Sequence, residues 1–136
     1  MIRLLRLFSV LLLTVSFGAC AEPAYTNVDN AQLKALLAQG VPLYDIRRPE
    51  EWRQTKVVEG SRTLTYVDAS GLANPEFLPR FTAEVGKNDP VVLICRSGSR
   101  TDKLARELAA RGYTQVHSVQ GGIMGWIAEN HPVVKN

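Results

Sequence analysis

The chain has 136 residues, about 46% of them apolar, with 16 basic and 13 acidic side chains for a formal charge of +3. That length allows one domain, and the interspersed charges exclude a disordered or repeat protein. There is no Lys/Arg cluster with interleaved aromatics, so nucleic-acid binding finds no support.

The amino terminus is expected to lie outside the domain. Arg3 and Arg6 precede an apolar stretch that ends near Val15, and Ala19-Cys20-Ala21 follows with small side chains. This order predicts a secretory signal peptide over residues 1–21, with the domain over 22–136 and a periplasmic destination. The apolar run is shorter than the roughly 20 residues a membrane-spanning helix needs. Cleavage after Ala21 releases a soluble form. In the alternative, Phe17-Gly18-Ala19-Cys20 acts as a lipoprotein box and lipidated Cys20 anchors the protein to a membrane. Without Arg3 and Arg6, 14 basic side chains face 13 acidic ones. Either route removes or modifies Cys20, so Cys95 becomes the lone thiol of an exported chain, which marks it as reactive rather than disulfide-bonded. The bland alternative is an inert core thiol.

Residues 25–28 are β-prone. Asn27 or Asp29 can cap a helix carrying Leu33, Leu36 and Leu37, which Gly40 ends. Residues 43–46 predict a buried strand, and Pro49-Glu50-Glu51-Trp52 opens a short helix, since proline and acids suit a helix start. Residues 62–66 predict a strand. Phe77, Leu78, Phe81 and Val85 show helical spacing that Pro79 disturbs. Val91-Val92-Leu93-Ile94 is a β-branched apolar run that fits a strand buried on both faces. Residues 100–111 predict a helix stopped by Gly112. Residues 115–119 read as the last strand and residues 122–130 as the closing helix. Alternating strands and helices predict an α/β domain with a mostly parallel sheet, whose ligands sit beyond the carboxyl ends of the strands.

Cys95 stands at that end of the strongest strand, in Cys95-Arg96-Ser97-Gly98-Ser99-Arg100. Cysteine acts as its thiolate, so its surroundings must favour ionised sulfur. The start of a helix offers unpaired N–H groups and a positive dipole end. Gly98 permits a loop whose amides converge on an anion. Arg96 and Arg100 add charge, and Ser97 and Ser99 add hydroxyls, with Ser99 also a candidate cap. His117 and His131 are not placed to act as a base. Trp52 and Trp126 are expected to pack rather than stack on substrate. No metal-ligand spacing occurs, so no metal or cofactor is expected.

The hexapeptide resembles the active-site loop of the rhodanese family. Asp45-Ile46-Arg47 with Pro49-Glu50-Glu51-Trp52 resembles an early motif of that family, and Gly121-Gly122-Ile123-Met124-Gly125-Trp126 its closing glycine-rich motif; Pro132-Val133 matches the usual end. The resemblance runs over roughly residues 25–133. It implies a five-stranded, mostly parallel sheet with helices on both faces. It also implies a sulfurtransferase cycle: Cys95 takes a sulfane sulfur from a small donor such as thiosulfate, and a thiol or cyanide acceptor removes it. In that scheme the amides of residues 96–100 hold the persulfide and Arg96 orients the donor. Arg100 either does the same or, the preferred reading, pairs with Asp45 to fix the loop. Asp45 is a structural acid and Arg47 a scaffold charge. The family often carries Gly-His-Ile where Lys56-Val57-Val58 precedes Gly60-Ser61 here, so a relative's substrate does not transfer directly. A cysteine phosphatase or arsenate reductase is the nearest rival, but its loop sets five residues between cysteine and arginine, against four between Cys95 and Arg100. A non-enzymatic sulfur-carrier or protein-binding module is the other, followed by a peripheral redox thiol.

Overall fold

A computed structural model describes residues 24–136. The expected signal peptide, with its expected cleavage site and Cys20, lies outside the described residues. In chain order the elements are β1 (Thr26–Val28), α1 (Asn30–Ala38), β2 (Leu43–Asp45), α2 (Pro49–Thr55), β3 (Arg62–Thr63), α3 (Phe77–Glu84), β4 (Val91–Ile94), α4 (Ser99–Ala110), β5 (Val116–Val119) and α5 (Gly122–Ala128). The strands form one sheet in the order β1-β5-β4-β2-β3, and every pairing is parallel.

Side chains alternate across a strand, and β4 shows what that does here. Val91, Leu93 and Cys95 join one apolar cluster with Phe77 and Phe81 of α3 and Leu104 and Leu108 of α4. Val92 and Ile94 join a second cluster with Leu33 of α1 and Ile123 and Trp126 of α5. All four β4 residues are fully buried, as a strand covered on both faces requires. The expected α/β sheet with helices on both faces is therefore present.

Local chemistry sets the helix ends. Asp29, not Asn27, caps α1: its carboxylate accepts the Gln32 N–H at 2.8 Å while Gln32 Oε1 accepts the Asp29 N–H at 2.9 Å. Such a reciprocal cap contributes about 1 kcal/mol. Pro79 does not disturb α3. It is the third helical residue, in the first turn, where a missing N–H leaves no intrahelical bond unmade. The strand expected over residues 62–66 shrinks to Arg62–Thr63, because its partner β2 ends at Asp45. Beyond it, Leu64 and Tyr66 donate singly to the Asp45 and Ile46 carbonyls, and Asn74 then turns the chain away by bonding Tyr66 O and Thr65 O. The carboxyl-terminal tail is held by a two-bond antiparallel bridge between Val57 and Val134. Among the described residues no helix is long and apolar enough to cross a membrane.

Candidate functional site

Cys95 follows β4 directly, and α4 begins four residues later, so the loop joins the carboxyl end of a central strand to a helix start. Gly98 occupies the position before α4 with φ of +107°, a conformation that only glycine adopts without strain. That turn aims the Gly98 N–H at Cys95 Sγ, 3.2 Å away. The Thr101 hydroxyl lies 3.7 Å from the same sulfur and donates to Gly98 O at 2.9 Å. Behind it, Ser118 Oγ stands 2.8 Å from Thr101 Oγ1 and 3.0 Å from Asp102 Oδ1. A negative sulfur here would meet one backbone donor, one hydroxyl and the positive end of a twelve-residue helix.

Two features of this loop correct the sequence reading. The sequence reading puts the thiol in a tight ring of loop amides at the mouth of the sheet. Instead Cys95 is 0% exposed and sits in the apolar cluster, and among the described contacts one loop amide, that of Gly98, reaches Sγ. Arg96, Ser97 and Ser99 are exposed around it. Nor does Ser99 cap the helix: Gly98 takes that position and no side chain bonds there.

The partner of Arg100 is Glu51, not Asp45. Its guanidinium grips the Glu51 carboxylate with two bonds of 2.7 and 2.8 Å, the bidentate geometry that makes such pairs strong. Burial pushes the Glu51 carboxyl up, but the Arg100 bonds, the Arg48 N–H and the charges of both arginines outweigh it and hold the group at about 2. The same bonds raise Arg100 above its ordinary value against the opposing effect of burial. Asp45 is already engaged by Arg47, through Nη2 to Oδ2 at 2.7 Å and Nε to Oδ1 at 2.9 Å, and by the Trp52 indole N–H at 3.1 Å. Arg47, 1% exposed, spends its remaining donors on Thr55 Oγ1 and the carbonyls of Glu51 and Lys56. Each buried charge is thus paired and bonded, the condition for tolerating it inside.

The closing glycine motif supplies the rest of the enclosure. The Ile123 N–H donates to Cys95 O at 2.8 Å and the Met124 N–H to Arg96 O at 3.2 Å. Gly122 packs so closely beneath the loop that an added Cβ would lie 2.5 Å from Cys95 O and from the Arg96 carbonyl. Beside the loop, Glu51, Gln54, Thr55, Arg96 and Met124 help line a small cleft of ≈ 100 Å³.

Glu51, Thr101, Ser118 and Gly122 were not singled out as site residues. Thr101 carried a usable signal: a hydroxyl three residues after the residue that precedes a helix can bond back to it. Glu51 and Arg100 lie 49 positions apart and carried none. His117 is in β5, its Nδ1 buried without a partner, and burial holds its imidazole below the ordinary value. His131 meets Glu129. Among the described residues no group of three or more His, Cys, Asp or Glu is arranged to hold a metal ion.

The profile of the family described as "Rhodanese-like domain" matches residues 29–129. Thiosulfate sulfurtransferase 18 of Arabidopsis thaliana is 31% identical over 88% of this chain and 90% of its own length. Thiosulfate sulfurtransferase GlpE of Tolumonas auensis is 33% identical over 75% and 88% respectively. Among solved structures, the polysulfide-sulfur transferase homodimer of Wolinella succinogenes superposes with a TM-score of 0.63 at 18% identity, covering 83% of this chain and 80% of that one. A Rhodopseudomonas palustris protein described as a possible tyrosine phosphatase superposes with a TM-score of 0.61 at 23% identity, covering 82% and 86%. At these identities the two structures speak to the fold alone.

Proposed function

The chain belongs to the rhodanese-like domain family, and from that premise we propose that it is a sulfurtransferase working through a persulfide on Cys95. In this reading the Cys95 thiolate attacks the outer sulfur of a donor such as thiosulfate. The S–S bond of the donor breaks and sulfite leaves with the bonding pair. The resulting Cys95 persulfide is then attacked at its outer sulfur by cyanide or a thiol, which restores the thiolate. The observation that carries the reading is the Gly98 N–H fixed on Sγ at the start of α4. Fixed donors of this kind stabilise charge on sulfur without having to reorganise.

Roles follow from what each group touches. Exposed Arg96, beside the small cleft, attracts the anionic donor. Ser97 and Ser99, also exposed, offer hydroxyls to it, and Thr101 can turn its proton from Gly98 O to a charged sulfur. Arg100, Asp45 and Arg47 hold the loop and the neighbouring helix rather than the donor. The engagement of Arg100 with Glu51 also argues against phosphatase chemistry, which needs the loop arginine directed at a phosphate.

The test is intact mass after thiosulfate treatment. The expected result is a gain of one sulfur atom, reversed by cyanide and absent in Cys95→Ser. A second reading rests on the 0% exposure of Cys95: a module that binds a partner or carries sulfur without turnover. A folded protein that gains no sulfur supports the partner-binding module instead, and one that gains sulfur but passes none to cyanide or a thiol supports the carrier. Export belongs to the same proposal, and the mass of the native amino terminus distinguishes cleavage after Ala21 from lipidation of Cys20.

A further inference from the structure

One cavity is lined by no residue of the Cys95 loop. It has a volume of ≈ 540 Å³ and is lined by Pro49, Trp52, Arg53 and Lys56 of the α2 region and by Lys135 and Asn136 of the tail. Three of those six side chains are cations and none is acidic. Arg53, Lys56 and Lys135 make no ion pair among the described residues. Pro49 and the ring of Trp52 give the cavity an apolar side, and its volume is in the range that encloses a small molecule.

The framework around the cavity is fixed. The Trp52 indole is tethered to Asp45, and Lys135 follows the residue that bridges to Val57. Lys56 itself has φ of 63° and ψ of −168°, a region that is close to glycine-only and strained for a residue that bears a side chain. Its backbone is locked there by two bonds: its N–H donates to Trp52 O at 2.8 Å and its carbonyl accepts from Arg47 at 2.9 Å. Glycine would satisfy that backbone equally well and without strain, so a lysine here carries a backbone cost. Strained residues of this kind concentrate where a side chain has a task.

The geometry points to a binding site, in this cavity, for a small organic anion that carries two or more carboxylate, sulfonate or phosphate groups on an apolar body. The acidic groups meet Arg53, Lys56 and Lys135, and the body lies against Trp52 and Pro49. Attraction to three cations at a surface cleft weakens as salt rises.

The full chain, labelled with ¹⁵N, tests this by titration with benzene-1,3,5-tricarboxylate as the probe and uncharged benzene-1,3,5-trimethanol as its counterpart. The protein holds two tryptophans, so their indole N–H signals are readily told apart. The expected result is a saturable displacement of the Trp52 signal by the tricarboxylate only, with the Trp126 signal moving less. Affinity is expected to fall roughly tenfold in Lys56→Gly combined with Lys135→Gln. Lys56→Gly relieves the strained backbone, so that variant keeps its fold; Lys135→Gln alone, at an exposed position, gives an independent reading. A Trp52 signal that does not saturate, or equal affinity in the variants and the parent, overturns the site.

Discussion

Two neighbouring strand ends are built on opposite plans. After β2, charge is matched at every step: Asp45 to Arg47, Arg48 to Glu50 and Glu51, and Glu51 across to Arg100. After β4, one amide meets one sulfur, and Arg96, Ser97 and Ser99 stand open to solvent. The first end is held by side-chain charges and the second by backbone amides, and the Glu51–Arg100 pair joins them. The fold therefore ties down one strand end with paired side-chain charges and the other with backbone amides, and the thiol is buried at the second.

The contrast is broken most severely at its rigid end. Arg47→Ala leaves the Asp45 carboxylate buried with the Trp52 N–H and a backbone N–H as its donors. Removing one member of a buried pair costs about 3–5 kcal/mol, which a denaturant midpoint would reveal. Next is Gly122→Ala, where a methyl group enters the Cys95–Arg96 backbone from a residue with φ of +57°. A loss of about 2–3 kcal/mol is expected, with sulfur transfer falling further than stability because the loop itself is displaced.

Glu51→Gln acts on the joint between the two ends. The folded carboxyl is held at about 2 against an ordinary value of 4.5. A lowered carboxyl stabilises the fold fully above its unfolded value, and that contribution disappears as pH falls from about 4.5 towards 2. It is worth about 2 kcal/mol at pH 7, below the full linkage value because Arg100 remains partly open to solvent. Acid unfolding curves of the parent should therefore lose stability across that window, and those of Glu51→Gln should be flatter. The smallest structural effect belongs to Arg96→Ala at the open end. Its side chain is exposed, so stability should move by less than about 0.5 kcal/mol. Thiosulfate KM should rise all the same. A variant that unfolds outright would assign Arg96 to the framework instead.

What could be read in advance divides along the same line. The apolar run of β4 and the turn signals around it are local, so the strand, the helix start and the placement of Cys95 between them were legible. The pairing of Arg100 was not, because proximity in space between α2 and α4 leaves no mark on either segment, and Asp45 was the nearer guess by motif. The burial of the thiol was hidden for a similar reason: Cys95 packs in the cluster with Phe77 and Phe81 of α3 and Leu104 and Leu108 of α4, which leaves no mark on the loop itself, and only the loop backbone is closed from downstream, by the Ile123 and Met124 amides. The shortened β3 shows the limit of propensity, since a β-prone run cannot stay in a ladder after its partner strand has ended.

That closure from downstream has a consequence for the chain as it is made. Synthesis delivers Cys95 before the segment whose amides tie down the Cys95 and Arg96 carbonyls. Until α5 arrives, the Cys95 and Arg96 carbonyls lack their donors, so the loop that sets the Gly98 N–H on the sulfur is completed only after residues 122–124 have been made.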